Sequence, residues 1–278
     1  MLRIALHVLT AALLGAALSP SFAADKAVPD LSGFWQHGVG DFMYRDPPSG
    51  AGPIKRTGKP EDYAVNNHYQ GDYNNPMLKP WAAKALKEAA MRDIAGLPES
   101  TPAATCRPGG VPGALLYLRP VQFLQEPHRV TILYQYDHQS RTIHLNKKHS
   151  ENLQPSWYGE SVGHYEGDTL IVDTIGVNDK SWTDHLGTPH TDKIHVIERY
   201  RVTNGGKTLE VHFSVDDPGT FNWPWSAILR YGRAGKEVVQ IEEEVCAENN
   251  IGILIPVADI DPISGATLRD PPPSSRGM

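Results

Sequence analysis

Three charged side chains stand where alternation along a strand calls for apolar ones. In residues 194–202 one face carries Ile194, Val196, Glu198, Tyr200 and Val202. In 239–245 it carries Val239, Ile241, Glu243 and Val245, and in 141–145 Arg141, Ile143 and Leu145. Two carboxylates and a guanidinium turned toward one interior admit two readings. The first is a structural salt bridge that fixes strand register, because a buried charge must be paired. The second is an acid–base site: a carboxylate in an apolar pocket takes a proton while Arg141 holds an anionic or developing oxyanion group. In both readings Arg141 contacts Glu198 or Glu243.

The segment "TDHLGTPHTDKIH" sets His185, His190 and His195 around a loop with Asp184 and Asp192. Its spacing matches no zinc signature, and no metal is expected. His190, on the loop that enters the Glu198 strand, is the expected proton carrier, which makes His190, Glu198 and Arg141 the catalytic set. His149, just past "RTIHLNKKH", is placed at the same barrel mouth. A solvated loop position suits each of these histidines equally well. Trp157, Tyr165 and Tyr200 are read as ligand-contacting rings, within a half of the chain that also holds Tyr158, Trp182, Trp223 and Trp225. Aromatics dominate cores as well as ligand sites.

Ser161 sits in "GESVG", which has the letters of G-x-S-x-G. The nucleophile elbow requires a strand followed at once by a helix. A turn and another strand follow here, so Ser161 is not a nucleophile. Gly159, Ser161 and Gly163, two apart, instead keep one wall thin, leaving room for a ligand or for a closely packed loop. Ser161 thereby joins the binding residues.

The elements that must position these groups follow from a change of period. From residue 119 onward strand patterns succeed one another: "VQFLQE", "RVTILYQYD", "RTIHLN", "ESVGHYE", "DTLIVDTIGV", "KIHVIERYRV", "TLEVHFSV", "WSAILRYG" and "EVVQIEEEV". Turn signals such as Glu166-Gly167-Asp168 and Asn204-Gly205-Gly206 separate them. Some nine strands with short turns predict an all-β fold, an antiparallel meander closed into a lipocalin-like barrel over 119–250, since closure removes exposed edges. Residues 24–118 read as a loop-rich segment, with "DLSGFWQ" a short strand start whose Phe34 or Trp35 can plug one barrel end. That segment holds one helix near 80–95, where Pro80 suits the first turn and Gly96 can close it. Residues 251–278 read as a tail.

The chain has 278 residues, 26 basic against 32 acidic side chains, and two cysteines. Residues 1–23 have a basic start at Arg3, an apolar run and the ending Ser21-Phe22-Ala23, the pattern of a secretory signal peptide. Without Arg3, 25 basic face 32 acidic side chains, a net −7. The run Ile4 to Leu18 is too short for a membrane span and no later stretch qualifies. A secreted, periplasmic protein is expected, with no nucleic-acid partner given the lack of a basic cluster in the sequence. In an oxidising compartment Cys106 and Cys246 are expected to form a disulfide.

The segments "WYGESVGHYEGDTLIVDT", "GTPHTDKIHVIERYR", "CRPGGVP" and "EVCAENN" resemble a family of secreted bacterial β-barrel proteins. Its pattern runs W-x-G-x-S-x-G-x-W-E-G-D-T-L-V-V-D-T, then P-H-S-x-x-L-H-V-x-E-R, and near the end C-H-E-G-N-Y. Tyr165 stands where a tryptophan is usual and Ala247 where a histidine follows the cysteine. The resemblance implies a secreted barrel and supplies no activity.

The residues together suggest a cofactor-independent enzyme of lyase or isomerase type. Its substrate would be a small, partly aromatic molecule with an anionic or phenolic oxygen. The alternative is a non-catalytic carrier or sensor with the same pocket. The two separate on whether His190 and an inward carboxylate converge.

Overall fold

The computed structural model describes residues 28–38, 43–57, 70–94, 102 and 105–249. The expected signal peptide over 1–23, Gly96 and the expected 251–278 tail lie outside these. Nine strands close a barrel: β1 (Gly33–His37), β4 (Val121–Glu126), β5 (Arg129–Tyr134), β6 (Ser140–Leu145), β7 (Glu160–Glu166), β8 (Thr169–Ile175), β9 (His195–Thr203), β10 (Thr208–Asp216) and β11 (Trp225–Arg233). A two-stranded ribbon, β2 (Arg56–Thr57) with β3 (Gln70–Gly71), stands apart from it. The helix α1 spans Pro80–Ile94 with Pro80 at its first position, and a single turn α2 spans Cys246–Asn249.

The closing strand differs from the expected one. Residues 237–245 form no strand, Val239 is exposed, and Glu243 lines a surface groove with Glu242 and Glu244. The free edge of β11 is already taken by β1, which pairs Trp35 with Arg233, and on its other side Trp35 with Val121 of β4. With both edges satisfied by β1, a ninth strand after β11 has nothing to pair with. The barrel therefore draws on residue 33 onward and ends at 233. Trp35 fills the end of the interior opposite the mouth and donates its indole N–H to the Leu31 carbonyl at 2.9 Å.

One joint departs from the antiparallel meander: β6 pairs parallel to β7, Ile143 opposite Ser161 and Leu145 opposite Gly163. A parallel neighbour needs a connection that returns along the barrel, and residues 146–159 supply it. At this joint the small residues of β7 find their reason. A Cβ on Gly163 would lie 2.9 Å from Ile143 Cγ2 and from the Ile171 carbonyl. Gly159 has φ +62°, and a side chain there would meet the Ile175 carbonyl at 2.3 Å. Of the two alternatives for the thin wall, room for a ligand or close packing, this joint shows close packing, with Ile143 filling what Gly163 gives up.

The helix buries Ala82, Leu86 and Ala90, one face at four-residue spacing, and Leu86 packs on Gly71 and Leu186. Cys106 and Cys246 lie at disulfide distance (2.27 Å, Cα–Cα 5.5 Å) across 140 residues of sequence. The link joins the loop before β4 to α2, the turn after the barrel, where a link to a final barrel strand was expected. Closing so long a loop stabilises by about 4–5 kcal/mol in the chain-entropy model. A Cys106→Ser/Cys246→Ser variant should lose about that amount in urea unfolding, and mass spectrometry of the native chain finding two free thiols would refute the link.

Candidate functional site

Inward alternation brings one polar group from each of four adjacent strands to one level of the barrel. Arg141 (β6), Ser161 (β7), Thr174 (β8) and Glu198 (β9) are all buried. Arg141 donates Nη1–H to Glu198 Oε1 (2.9 Å), Nε–H to the Ser161 hydroxyl (3.0 Å) and Nη2–H to Thr174 Oγ1 (2.8 Å), and Nη2 also contacts Glu198 Oε2. Tyr200 completes the carboxylate, donating its hydroxyl to Oε1 at 2.6 Å. Burial by itself would lower the arginine pKa, but the charge and hydrogen bonds of Glu198 more than reverse it and hold the guanidinium well above its ordinary value. Tyr134, next to the guanidinium, is pushed up to about 12, chiefly by burial. Phe123, Ile132, Ile143 and Val172, each at most 2 % exposed, surround the group.

The expected Arg141–Glu198 contact is present, and Ser161 and Tyr200 belong to it. Glu243 does not. A guanidinium satisfied by four acceptor contacts and walled by packed apolar side chains has the form of a structural ion pair, the first of the two readings. The geometry leaves no hydrogen-bonding valence of Glu198 turned toward an opening.

The other expected site residues lie elsewhere. His190 is buried in the loop before β9, with no contact to Glu198. Its Nδ1–H donates to the Thr191 carbonyl (2.9 Å), which fixes the tautomer and leaves Nε2 to accept from the Ser181 hydroxyl (2.9 Å). Burial lowers its pKa, against smaller opposing effects of the Thr191 carbonyl and of Asp217 and Asp179. His149 sits on the outer wall between Glu160 Oε2 and Asp173 Oδ1, both 3.1 Å away, and His195 meets the same Asp173 oxygen at 2.8 Å. Tyr165 points inward at the far end of the barrel, where its hydroxyl accepts from the Gln125 amide at 2.7 Å. Trp157 is half-buried on the β6–β7 connection with its carbonyl against Gly110. These residues do not converge on one ligand position.

What does converge is the barrel mouth. Two irregular segments, 105–117 and 177–191, cover it and lock onto each other. The Tyr44 hydroxyl lies between the carbonyls of Pro112 (3.1 Å) and Thr183 (2.8 Å). Gly110 (φ +68°) and Gly113 are required by the contact, since a Cβ would lie 2.3 Å from Ser181 Oγ and 2.5 Å from the Trp182 carbonyl respectively. Between the segments is a cavity of about 70 Å³ lined by Pro102, Gly109, Gly113, Tyr117, Trp182, Asp184 and His185. Asp184 accepts the backbone N–H groups of Leu186 (2.8 Å) and Thr188 (3.1 Å) on one oxygen. Burial raises its pKa, tempered by these bonds and by His185. His185 bonds the Leu116 carbonyl through Nε2 at 3.1 Å; a carbonyl only accepts, so Nε2 carries the proton and Nδ1 the lone pair. Burial lowers its pKa. The Tyr117 hydroxyl donates to Gln139 at 3.1 Å, accepts the Gly109 N–H, and is raised by burial.

Sequence reasoning noted His185 and Asp184 only as members of a loop and missed Tyr117 entirely. Loops have no periodicity to show which residues face each other. Thr174 was within reach, because it shares the inward face of Leu170 and Val172. Comparisons with protein-family models, with curated proteins and with solved structures find no match to this chain.

Two outcomes follow. Arg141→Met strands a buried carboxylate and should destabilise by about 3–5 kcal/mol, whereas Arg141→Met/Glu198→Gln should cost clearly less; equal losses in the single and double variants on chemical denaturation would show the two residues do not act as a pair. His185 and His190 also set a pH dependence. Their folded pKa values lie below the unfolded value near 6.5, so the unfolded chain binds more protons in that window. Their contribution is complete above pH of about 6.5 and is lost as pH falls toward the folded values, with a slope of at most about 1.4 kcal/mol per pH unit for each histidine. Asp184 acts with the opposite sign, since protonating it relieves a burial penalty. Urea titrations below pH of about 6.5 should show a shallower slope in His190→Asn than in the parent, and an unchanged slope would remove His190 from this account.

Proposed function

We propose that this protein is a cofactor-independent enzyme that performs acid–base chemistry, of lyase or isomerase type, on a small, partly aromatic molecule. Its reacting group would occupy the mouth cavity and not the barrel interior. The observation that carries this reading is the pairing, on one cavity wall, of a carboxyl raised by burial and an imidazole lowered by it. Proton transfer is most efficient when donor and acceptor have matched pKa values near the working pH. Asp184 and His185 are shifted toward each other.

The cavity volume, about 70 Å³, corresponds to roughly five water-sized positions. That suits one functional group with the edge of a ring, in a cavity that Tyr117 and Trp182 help to line. In the proposed step His185 Nδ1 takes a proton from the substrate and protonated Asp184 returns one to the departing or rearranging atom. Proton number is conserved and both residues reset by exchanging that proton with solvent. Tyr117, whose hydroxyl is engaged with Gln139 and Gly109, would contribute to the wall of the site.

The test is a ligand screen with small aromatic acids and phenols, with product detection by mass spectrometry. For a turned-over compound, His185→Asn should lower kcat by about a hundredfold or more while affinity stays within about tenfold, because a proton carrier acts in the transition state. Asp184→Asn, which keeps the acceptor for the Leu186 and Thr188 N–H groups, should behave alike. Undiminished turnover in both variants would move the chemistry elsewhere. Binding without any product in the parent would make the protein a carrier.

A further inference from the structure

The outer face of α1 is unlike the rest of this acidic chain. Among the side chains described on it, the exposed ones are Trp81, Lys84, Lys87, Glu88, Met91 and Arg92, three basic against one acidic, with Lys84 3.8 Å from Glu88, in a chain of net charge −6. Trp81 is 44 % exposed and Met91 50 %, although the helix has an apolar inner face fully occupied by the protein. A second tryptophan, Trp223 at 43 % exposure, stands beside the helix start.

The Trp81 ring and the loop that carries Trp223 are held in place. Trp81 donates its indole N–H to the Gly219 carbonyl at 2.8 Å. The loop carrying Trp223 is stitched to the helix approach by Lys79 N–H to the Thr220 carbonyl (2.9 Å) and Asn222 N–H to the Met77 carbonyl (2.8 Å). Ordering two large amphipathic rings at a surface, flanked by long cationic side chains, matches what a bilayer interface rewards. Tryptophan rests at headgroup depth, and each Lys or Arg near an anionic leaflet adds attraction. The Lys87 ammonium lies over the Tyr73 ring at 5.6 Å from its centroid, a cation–π contact that holds one of these cationic groups at the helix surface.

We propose that the outer face of α1, with Trp223, seats this protein on an anionic lipid surface. The inner face of the same helix packs on Leu186, with Ala89 against Gly187, in the loop that carries Asp184 and His185. Docking through the outer face sets the mouth close to the interface, where apolar aromatic molecules concentrate. The surface argument does not depend on the chemistry assigned to the cavity.

The test is co-sedimentation of the full chain with vesicles of phosphatidylcholine alone and of phosphatidylcholine mixed with phosphatidylglycerol. Binding is expected to the mixed vesicles only, and to be lost in about 0.5 M salt, where charges are screened within roughly 4 Å. Lys84→Glu/Lys87→Glu should lower partitioning about tenfold or more, and Trp223→Ala should lower it several-fold, with circular dichroism unchanged in both. Three results overturn the proposal: no binding to mixed vesicles, binding insensitive to the lysine reversal, or heparin binding that the lysine reversal abolishes while Trp223→Ala leaves vesicle partitioning intact. The last would assign the face to a soluble polyanion.

Discussion

The Arg141–Glu198 ion pair constrains the barrel more than any other contact. Removing both charges from water is costly, and mutual attraction repays this only when the remaining hydrogen-bonding positions are also filled. Filling them takes Ser161 from β7, Thr174 from β8 and Tyr200 from β9 itself, so four consecutive strands must arrive in one register. A slip of one residue in any of them would turn its whole inward set outward. The pair therefore acts on specificity of pairing as much as on stability. It sits at the one joint where help is most needed, beside the parallel pairing of β6 and β7, which no short turn can set.

The parallel joint explains the composition of β7. Ile143 enters the space over Gly163, and the guanidinium of Arg141 takes the space over Ser161. Two small residues on one strand thus accommodate two large ones on its neighbour. The connection that makes the joint possible returns along the outer wall, where Ser150 and His149 bond Glu160. It ends at Tyr158, whose ring stacks on Tyr134 with centroids 5.8 Å apart and whose hydroxyl bonds Gln139. The route taken by one crossover in this way links the interior pair to the mouth.

Alternation made the interior legible, because strand geometry converts sequence spacing directly into sidedness. Arg141 and Glu198 could be read that way; a plug was legible only as Phe34 or Trp35, and the cysteine pair from its isolation and the expected compartment. The same rule misled at 237–245, where Val239, Ile241 and Val245 imitate an inward face. Pairing is decided by which edge is available, and the short β1, five residues long, had already taken it. His190 and His149 were placed by nearness in sequence to the barrel mouth, and Trp157 by its membership of an aromatic-rich half of the chain. In the fold, His190 is turned to Ser181, Trp157 rides on the outer connection, and His149 faces Asp173. None of these directions is encoded in a period.

The mouth gathers its polar groups by a different physics from the barrel. In the interior, opposite charges were brought together and neutralise each other. At the mouth, loop backbone supplies the partners: Leu186 and Thr188 N–H for Asp184, the Leu116 carbonyl for His185, the Thr191 carbonyl for His190. Backbone groups carry no net charge, so they orient these side chains without fixing them as ions. Exclusion of water by the 105–117 segment is then the dominant influence, and it penalises whichever form is charged. One cause thereby moves a carboxyl up and an imidazole down, opposed in each case by smaller effects of hydrogen bonds and of the neighbouring group. The disulfide at Cys106 holds that segment in place, and the glycines at 110 and 113 let it lie close enough to keep water out. The barrel below has less of this freedom, since Arg141 and Glu198 are buried and bonded to each other, to Ser161, to Thr174 and to Tyr200. A group able to change its charge needs surroundings that allow both states, and in this fold such surroundings are found in the loop-built mouth, where Asp184 and His185 are held by backbone groups.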